Sequence, residues 1–175
     1  MKVTTAKALP SLSRVKDSAR TPVKVALVQM HWEEDPAKHL ANLNQGIKLA
    51  AEQGAEIVCL PELTLSRYPA DKLPTGRPAD IAEDLETGPT LKFATEAAQT
   101  FGVYVHASLY HDTELGDGRG LNVAIVVNLR VNWLHTLLNF TYQSQLVTTK
   151  INTLHQDQTN PMVTLFTLSI SKVEH

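Results

Sequence analysis

The sequence predicts an α/β fold, and three patterns support this prediction. A strand rich in β-branched residues is followed by a helical pattern and a second apolar strand between residues 23 and 60. Another helix and strand occupy residues 88–109, and a further strand follows over residues 121–127. Strands that alternate with helices and then form a hairpin are typical of a layered domain, in which helices cover a sheet.

The first three elements form a β-α-β unit. Residues 23–30 read as a strand, and Asp35-Pro36 then supplies an N-cap followed by a proline at the first helical position. Gly54 stands where a glycine commonly ends a helix, and residues 55–60 form the next strand. Two strands joined through a helix are expected to lie parallel in one sheet. The apolar residues at helical spacing are Leu40, Leu43, Ile47 and Ala50.

The next elements follow a loop that contains several prolines. Gly88-Pro89 opens a second helix, Gly102 closes it, and residues 103–109 form a strand. An Asp-Gly-Arg-Gly turn at residues 117–120 leads into the strand at residues 121–127. A turn of this kind between two strands predicts a β-hairpin.

The two ends of the sequence differ from this regular middle. Residues 1–22 carry five basic residues and one acid, which predicts a basic disordered arm outside the fold. A transit peptide is the alternative, although Asp17, Pro10 and the lack of an apolar stripe argue against it. Residues 23–128 are predicted to form the domain. Residues 129–175 form a divergent tail of uncertain fold, with a strand-like alternation at residues 162–170.

Composition limits the class of protein. The length of 175 residues suits one domain, since domains usually have about 100–200 residues. A net charge of −2 gives no sign of a nucleic-acid partner or an anionic membrane, and no apolar stretch approaches the ~18 residues of a membrane span. A single cysteine, Cys59, excludes an intrachain disulfide and fits a reducing compartment, so we expect a cytoplasmic protein.

Glu62 is the strongest candidate for a functional residue. It follows the apolar run at residues 57–60 and Pro61, which ends a strand because proline has no N–H to donate. The carboxylate therefore stands at the carboxyl end of a strand, where open α/β sheets build their active sites. Spacing alone leaves two interpretations open, a solvated carboxylate and a general base beside a nucleophile.

Several segments resemble the nitrilase superfamily of carbon–nitrogen hydrolases, in particular amidases and N-carbamoyl amidohydrolases. The first three segments are Val-Ala-Leu-Val-Gln-Met at residues 25–30, Ala-Ala-Glu-Gln-Gly-Ala at 50–55 and Ile-Val-Cys-Leu-Pro-Glu-Leu at 57–63. The match continues through Gly-Pro-Thr at residues 88–90, the strand that contains Ser108, and Gly-Leu-Asn-Val-Ala at 120–124. It covers residues 23–128.

This resemblance implies an α-β-β-α sandwich, of which the chain would hold the N-terminal part and lack the C-terminal half. It also implies a cysteine nucleophile assisted by a glutamate and a lysine. Glu62 matches the general base, and Lys150 is the nearest candidate for the lysine that polarises the oxyanion. Tyr68 is a candidate for binding substrate, or alternatively for capping the sheet.

The implied nucleophile has no match in the chain. In the family, the cysteine follows the lysine, whereas Cys59 precedes Glu62 in the same apolar run. Free cysteine is among the most buried residue types, so we expect Cys59 to be a core thiol and not the nucleophile.

No metal or cofactor is predicted. The histidines show no spaced pair typical of a metal site, and His106 is expected to be a core histidine with its hydrogen bonds satisfied. A thiolate and a base complete the chemistry of the resembled family without a cofactor.

Two functions of different class follow from these observations. The first is hydrolysis of a linear amide, N-carbamoyl or nitrile substrate through a cysteine acyl-enzyme. The second is a truncated, non-catalytic chain or partner subunit that lacks the nucleophile and is inactive alone. A binding module without chemistry is a third alternative. The expected partner is a small molecule, and association into a homo-oligomer is left open.

Overall fold

The computed structural model describes residues 1–6, 21–68, 73, 75–112, 118 and 120–127, together with the backbone of residues 162–168. The elements, in chain order, are β1 (Lys2–Ala6), β2 (Val23–Gln29), α1 (Pro36–Glu52), β3 (Ile57–Cys59), a 3₁₀ helix (Pro78–Ile81), α2 (Pro89–Phe101), β4 (Tyr104–Asp112), β5 (Gly120–Val127) and β6 (Met162–Leu168).

The six strands form one sheet in the order β1-β6-β2-β3-β4-β5. Strands β2, β3 and β4 run parallel to one another, as the β-α-β pattern predicts. Strand β5 pairs with β4 in the antiparallel direction, so the predicted hairpin is confirmed. Strand β6 lies antiparallel to β2 and parallel to β1. The predicted α/β class is therefore confirmed.

The helix boundaries follow the signals read from the sequence. The Asp35 carboxylate accepts a hydrogen bond from the Ala37 N–H at 2.9 Å, which satisfies a free donor in the first turn of α1. Gly54 and Gly102 follow α1 and α2 with φ angles of 78° and 69°, a left-handed conformation that glycine adopts without steric cost.

Helices α1 and α2 pack against the same face of the sheet. Both connect neighbouring parallel strands, and their buried residues belong to one core cluster with the sheet. The core between the helices and the sheet consists mainly of small and branched aliphatic side chains. Its fully buried members include Ala26, Leu43, Ile47, Ala50, Val58, Ala94, Ala98, Val105 and Ala107.

The opposite face of the sheet carries most of the polar strand residues. Because side chains alternate between faces, the residues next to these core positions point away from the helices. The strand register aligns Leu27, Cys59, His106 and Val126 in one row across β2, β3, β4 and β5. Ser108 and Asn122 lie on this second face, near the carboxyl end of β3.

The structure differs from the predictions at both ends of the chain. The sequence predicts a disordered arm over residues 1–22, yet Lys2–Ala6 form a strand that pairs with β6. Val3, Thr4 and Thr5 are β-branched, which favours an extended backbone. Part of the tail at residues 129–175 also joins the sheet, because Met162–Leu168 pair on both sides. This strand lies within the alternation noted at residues 162–170.

Within the described residues, neither helix has the length and the apolar character needed to cross a bilayer.

Candidate active site

Glu62 lies in the short segment that leaves strand β3. The pairing of β3 with β4 extends one residue beyond the strand, because the Leu60 N–H donates to the His106 carbonyl oxygen at 2.9 Å. Pro61 then ends the pairing, and Glu62 is exposed. The predicted carboxylate therefore stands at the carboxyl end of a central strand, while its backbone is still close to β4.

The residue after Glu62 has a strained backbone. Leu63 has a φ angle of 51°, and it is the one non-glycine residue with a positive φ in the described part of the chain. A large side chain seldom adopts this conformation, because Cβ then approaches the backbone too closely. Leu63 is nevertheless buried, which anchors the turn to the protein interior. Strained residues of this kind cluster at functional sites, where the surrounding structure holds them.

Thr64 connects this turn to strand β4 by a set of hydrogen bonds. Its N–H donates to the Ser108 carbonyl oxygen at 2.8 Å, and its hydroxyl accepts from the Ser108 N–H at 3.0 Å. The same hydroxyl donates to the Pro61 carbonyl oxygen at 3.0 Å, closing the turn around Glu62. Thr64 is 1% exposed, so these bonds are shielded from water.

Helix α1 supports the same turn through His39. The His39 ring nitrogen Nε2 lies 2.9 Å from the Thr64 carbonyl oxygen, and His39 is buried. A carbonyl only accepts, so this contact assigns the proton to Nε2. The Trp32 ring packs against His39 with centroids 4.4 Å apart. The Glu62 turn is therefore held from α1 on one side and from β4 on the other.

The Glu62 side chain contacts Asn122 on strand β5. The Asn122 amide nitrogen Nδ2 donates to Glu62 Oε1 at 2.6 Å. The Ser108 hydroxyl donates to Asn122 Oδ1 at 3.2 Å, and the Leu63 N–H donates to the same hydroxyl, also at 3.2 Å. Residues from three segments thus fix both the backbone and the carboxylate at the candidate base.

Cys59 lies in the same strand as the start of this turn, but in a different environment. It is half-buried and stands beside Leu27 and His106 in the sheet register. Burial raises the pKa of the Cys59 thiol, because a thiolate is poorly solvated there. Activated cysteines have the opposite property, a pKa lowered by positive charge or a helix terminus.

His106 departs from the prediction of a satisfied core histidine. Its ring is half-buried, and within the described residues its Nδ1 atom is buried without a hydrogen-bond partner. Its neighbours in the row, Cys59 and Val126, offer no strong acceptor. Burial lowers the pKa of His106, because the charged imidazolium is desolvated.

Of the two other predicted site residues, Tyr68 and Lys150, the structure describes one. Tyr68 is 47% exposed and lies six residues after Glu62 on the same loop. Lys150 falls outside the described residues. Among the residues that the structure describes, no group of three or more histidine, cysteine, aspartate or glutamate side chains could hold a metal ion.

Sequence reasoning assigned no role to four residues that form the site. Ser108 and Asn122 lie in the resembling segments, whereas His39 and Thr64 lie outside them. A polar residue inside an otherwise apolar strand is the available signal for Ser108 and Asn122. His39 and Thr64 carry no such signal, since their partners depend on how α1 packs on the turn.

Comparison with known proteins shows a match to one family. The model of the family described as "Carbon-nitrogen hydrolase" matches residues 24–162, a match that runs past residue 128. A citrullinase from Francisella tularensis is 31% identical over 88 residues, which are 50% of this chain and 30% of that protein. A nitrilase from Pyrococcus abyssi is 36% identical over 110 residues, which are 62% of this chain and 40% of that protein.

Solved structures give the same fold. A carbon–nitrogen hydrolase from Helicobacter pylori G27 superposes with a TM-score of 0.53 at 21% identity, over 64% of this chain and 37% of that chain. Nit3 from Saccharomyces cerevisiae, a member of the nitrilase superfamily, gives a TM-score of 0.51 at 22% identity, over 64% and 42% of the two chains. The chain thus spans less than half the length of each of these relatives.

Proposed function

This chain belongs to the carbon–nitrogen hydrolase family, and we propose that it acts in the hydrolysis of a linear amide, N-carbamoyl or nitrile substrate, with Glu62 as the general base. The observation that carries this proposal is the restrained carboxylate at the end of β3. Glu62 combines an exposed position, a strained neighbour and a hydrogen bond from Asn122 to one of its two oxygens. A structural carboxylate at a strand end needs none of these features.

The chemistry assigned to Glu62 is proton transfer to and from a cysteine thiol. Its carboxylate takes the thiol proton, and the thiolate attacks the carbonyl carbon of an amide. As the tetrahedral intermediate collapses, the C–N bond breaks and the proton passes from Glu62 to the leaving nitrogen. Water then attacks the thioester and gives a proton to Glu62, and the acid is released as that proton returns to the thiolate sulfur.

The named relatives support this choice of substrate class. Citrulline carries a terminal ureido group, which is an N-carbamoyl amine, and a nitrilase acts on a nitrile. In the reaction proposed here, a sulfur nucleophile attacks an sp² or sp carbon bonded to nitrogen, and the product is a carboxylic or carbamic acid. We therefore propose a small molecule with an N-carbamoyl, linear amide or nitrile group as the substrate.

Two further residues complete the proposed site. Lys150, on the resemblance alone, would place its ammonium group near the oxyanion of the tetrahedral intermediate. Tyr68, exposed on the loop that follows Glu62, would form part of the wall of the substrate pocket. A cytoplasmic location and self-association remain predictions, the first from the single cysteine and the second from the family resemblance.

A second candidate function is that of a non-catalytic partner subunit. The observation that favours it is the state of Cys59, the single cysteine of the sequence. Its raised pKa and its position within β3, before the segment that carries Glu62, make it unsuitable as the nucleophile. In this second function Glu62 serves no thiol, whereas in the first function the thiol that Glu62 serves lies outside the 175-residue sequence.

The test is an assay of ammonia release by the chain isolated from its own cells together with any associated subunits. The substrates are a linear amide, an N-carbamoyl amino acid and a nitrile. We expect turnover of at least one of them, and Glu62→Gln should lower kcat by about 100-fold or more, the usual contribution of a general base. Glu96→Gln makes the same charge change at an exposed position of α2 and should leave the rate unchanged.

Retention of turnover in Glu62→Gln would contradict the role of Glu62. An assembly without turnover of any of these substrates would contradict the hydrolase and support the non-catalytic subunit.

A further inference from the structure

We propose that Ser108 and Asn122 are positioning residues, which fix the Glu62 carboxylate through a one-directional chain of hydrogen bonds that begins at the Leu63 N–H. The inference deepens the proposed function, because it assigns the residues that prepare the base. Neither residue touches the reacting atoms, and both act through Glu62.

The direction of the chain is set at its first bond. The Leu63 N–H can only donate, so it occupies a lone pair of the Ser108 hydroxyl at 3.2 Å. The hydroxyl hydrogen is therefore directed to another acceptor, and the Asn122 Oδ1 atom lies 3.2 Å away. Ser108 is 6% exposed, so water offers little competition for this hydrogen.

The second bond sets the orientation of the Asn122 amide. Oxygen and nitrogen of such an amide are distinguished by their partners, and a hydroxyl donor on one side requires the oxygen there. The Nδ2 group must then face Glu62, to which it donates at 2.6 Å. The chain of hydrogen bonds therefore ends in the Nδ2 donor of Asn122, which is complementary to a carboxylate oxygen.

This chain of hydrogen bonds also restrains the strained turn at Leu63. It starts at the backbone of Leu63 and returns to the side chain of the preceding residue, so it forms a closed ring through Glu62. Ser108 and Asn122 sit on adjacent paired strands, β4 and β5, whose spacing is fixed by backbone hydrogen bonds. The bond to Oε1 limits rotation of the carboxylate and leaves Oε2 to receive the proton of the nucleophile.

The experiment exchanges donor and acceptor in the hydrogen bond between Asn122 and Glu62. Asn122→Asp places a second carboxylate against Glu62 and should lower the melting temperature of the full chain by several degrees at pH 7. Adding Glu62→Gln supplies an amide that donates to the new carboxylate, so the double variant should recover most of this loss. Recovery beyond the sum of the two single effects measures the coupling between the two side chains.

Asn42→Asp provides a matched control. The Asn42 amide donates to Glu33 at 3.3 Å, so this substitution also brings two carboxylates together, outside the Glu62 site. Glu62→Gln should not restore the melting temperature of Asn42→Asp. Additive effects of Glu62→Gln and Asn122→Asp would overturn the inference.

A spectroscopic measurement covers the case in which Asn122→Asp fails to fold. The side-chain amide protons of Asn122, observed by NMR in the folded chain, should move upfield in Glu62→Gln because a bond to a carboxylate is lost. They should also move in Ser108→Ala, since the amide loses the donor that fixes its orientation. Asn122 signals unchanged in both variants would contradict the chain of bonds.

Kinetics separate this inference from the proposed function. In an assembly with turnover, Asn122→Ala should lower kcat by about 100-fold with little change in KM, as expected when a catalytic group is displaced. Coupling between Asn122 and Glu62 without turnover in any assembly contradicts the hydrolase alone. Turnover that depends on Glu62 without such coupling contradicts the positioning role alone.

Discussion

At the scale of single residues, Cys59 and Glu62 are three positions apart in the sequence but differ in exposure and in hydrogen bonding. Glu62 is exposed and receives a hydrogen bond, whereas Cys59 is half-buried in strand β3 with apolar Leu27 beside it. Burial raises the pKa of the Cys59 thiol and so disfavours the thiolate, which is the form that attacks electrophiles. Glu62, the proposed general base, therefore has no activated thiol close to it in sequence.

Alkylation of Cys59 by iodoacetamide tests this difference. Because the folded thiol has the higher pKa, its rate should be low at neutral pH and should rise at more alkaline pH than in the unfolded chain. Mass spectrometry of samples quenched at several pH values gives both rate profiles, with the chain in denaturant as the control. Equal rates for the folded and the unfolded chain at neutral pH would show that the thiol is not suppressed.

The position of Glu62 at the end of a strand was readable from the sequence, but its partners were not. Pro61 marks the end of an apolar run, and this local signal is enough to place a carboxylate at a strand end. The contact with Asn122 joins residues 60 positions apart and depends on the register of β4 against β5. Register is set by the packing of whole faces, so no local pattern reveals it.

At the scale of elements, capping decides where the helices begin. Helix α1 begins at Pro36 as predicted, because the preceding Asp35 caps it. Helix α2 begins after Gly88, which has no side chain to cap it, and the missing acceptor comes from Glu83. The Glu83 carboxylate accepts from the Thr90 N–H at 2.8 Å and also from the Thr90 hydroxyl.

Loss of this remote cap should destabilise the domain. Glu83→Ala leaves the buried Thr90 N–H without an acceptor, and we expect the free energy of unfolding to fall by about 0.5–2 kcal/mol, the usual value for a helix cap. Glu86→Ala removes a carboxylate of the same kind from an exposed position nearby. Urea unfolding of both variants measures the difference, and equal midpoints would refute the capping role.

Elements with strong local signals were predicted, and those without were missed. Both helices and the strands β2 to β5 follow from apolar periodicity, caps and glycines. The 3₁₀ helix Pro78–Ile81 lies in a loop whose prolines indicated only irregular structure. Strand β1 has basic and hydroxyl residues and no clear apolar alternation, so the sequence did not indicate a strand there. Its place in the sheet depends on its pairing with β6.

At the scale of the whole molecule, strands from the N-terminal and C-terminal parts of the sequence, β1 and β6, pair at one side of the sheet. Strand β6 lies between β1 and β2, although more than 130 residues separate it from β2 in sequence. Such a long-range pairing cannot be inferred from local pattern, because loop length says little about which edge a strand joins. Glu62 follows β3, in the part of the sheet where the strand order β2-β3-β4-β5 is the same as the order in the sequence.

The predicted sandwich is represented by one sheet and its helical layer in the described residues. Solved relatives share this part of the fold, and the chain spans 37% and 42% of the two described above. Because burial raises the pKa of the Cys59 thiol, we propose that Glu62 serves a thiol other than Cys59.

The most direct test of this claim is ammonia release by the purified 175-residue chain alone, with and without Cys59→Ser. The same linear amide, N-carbamoyl and nitrile substrates are used, with a no-protein blank. Because no activated thiol accompanies Glu62, we predict no release above the blank for either form. Turnover by the chain that Cys59→Ser abolishes would contradict the claim and identify Cys59 as the nucleophile.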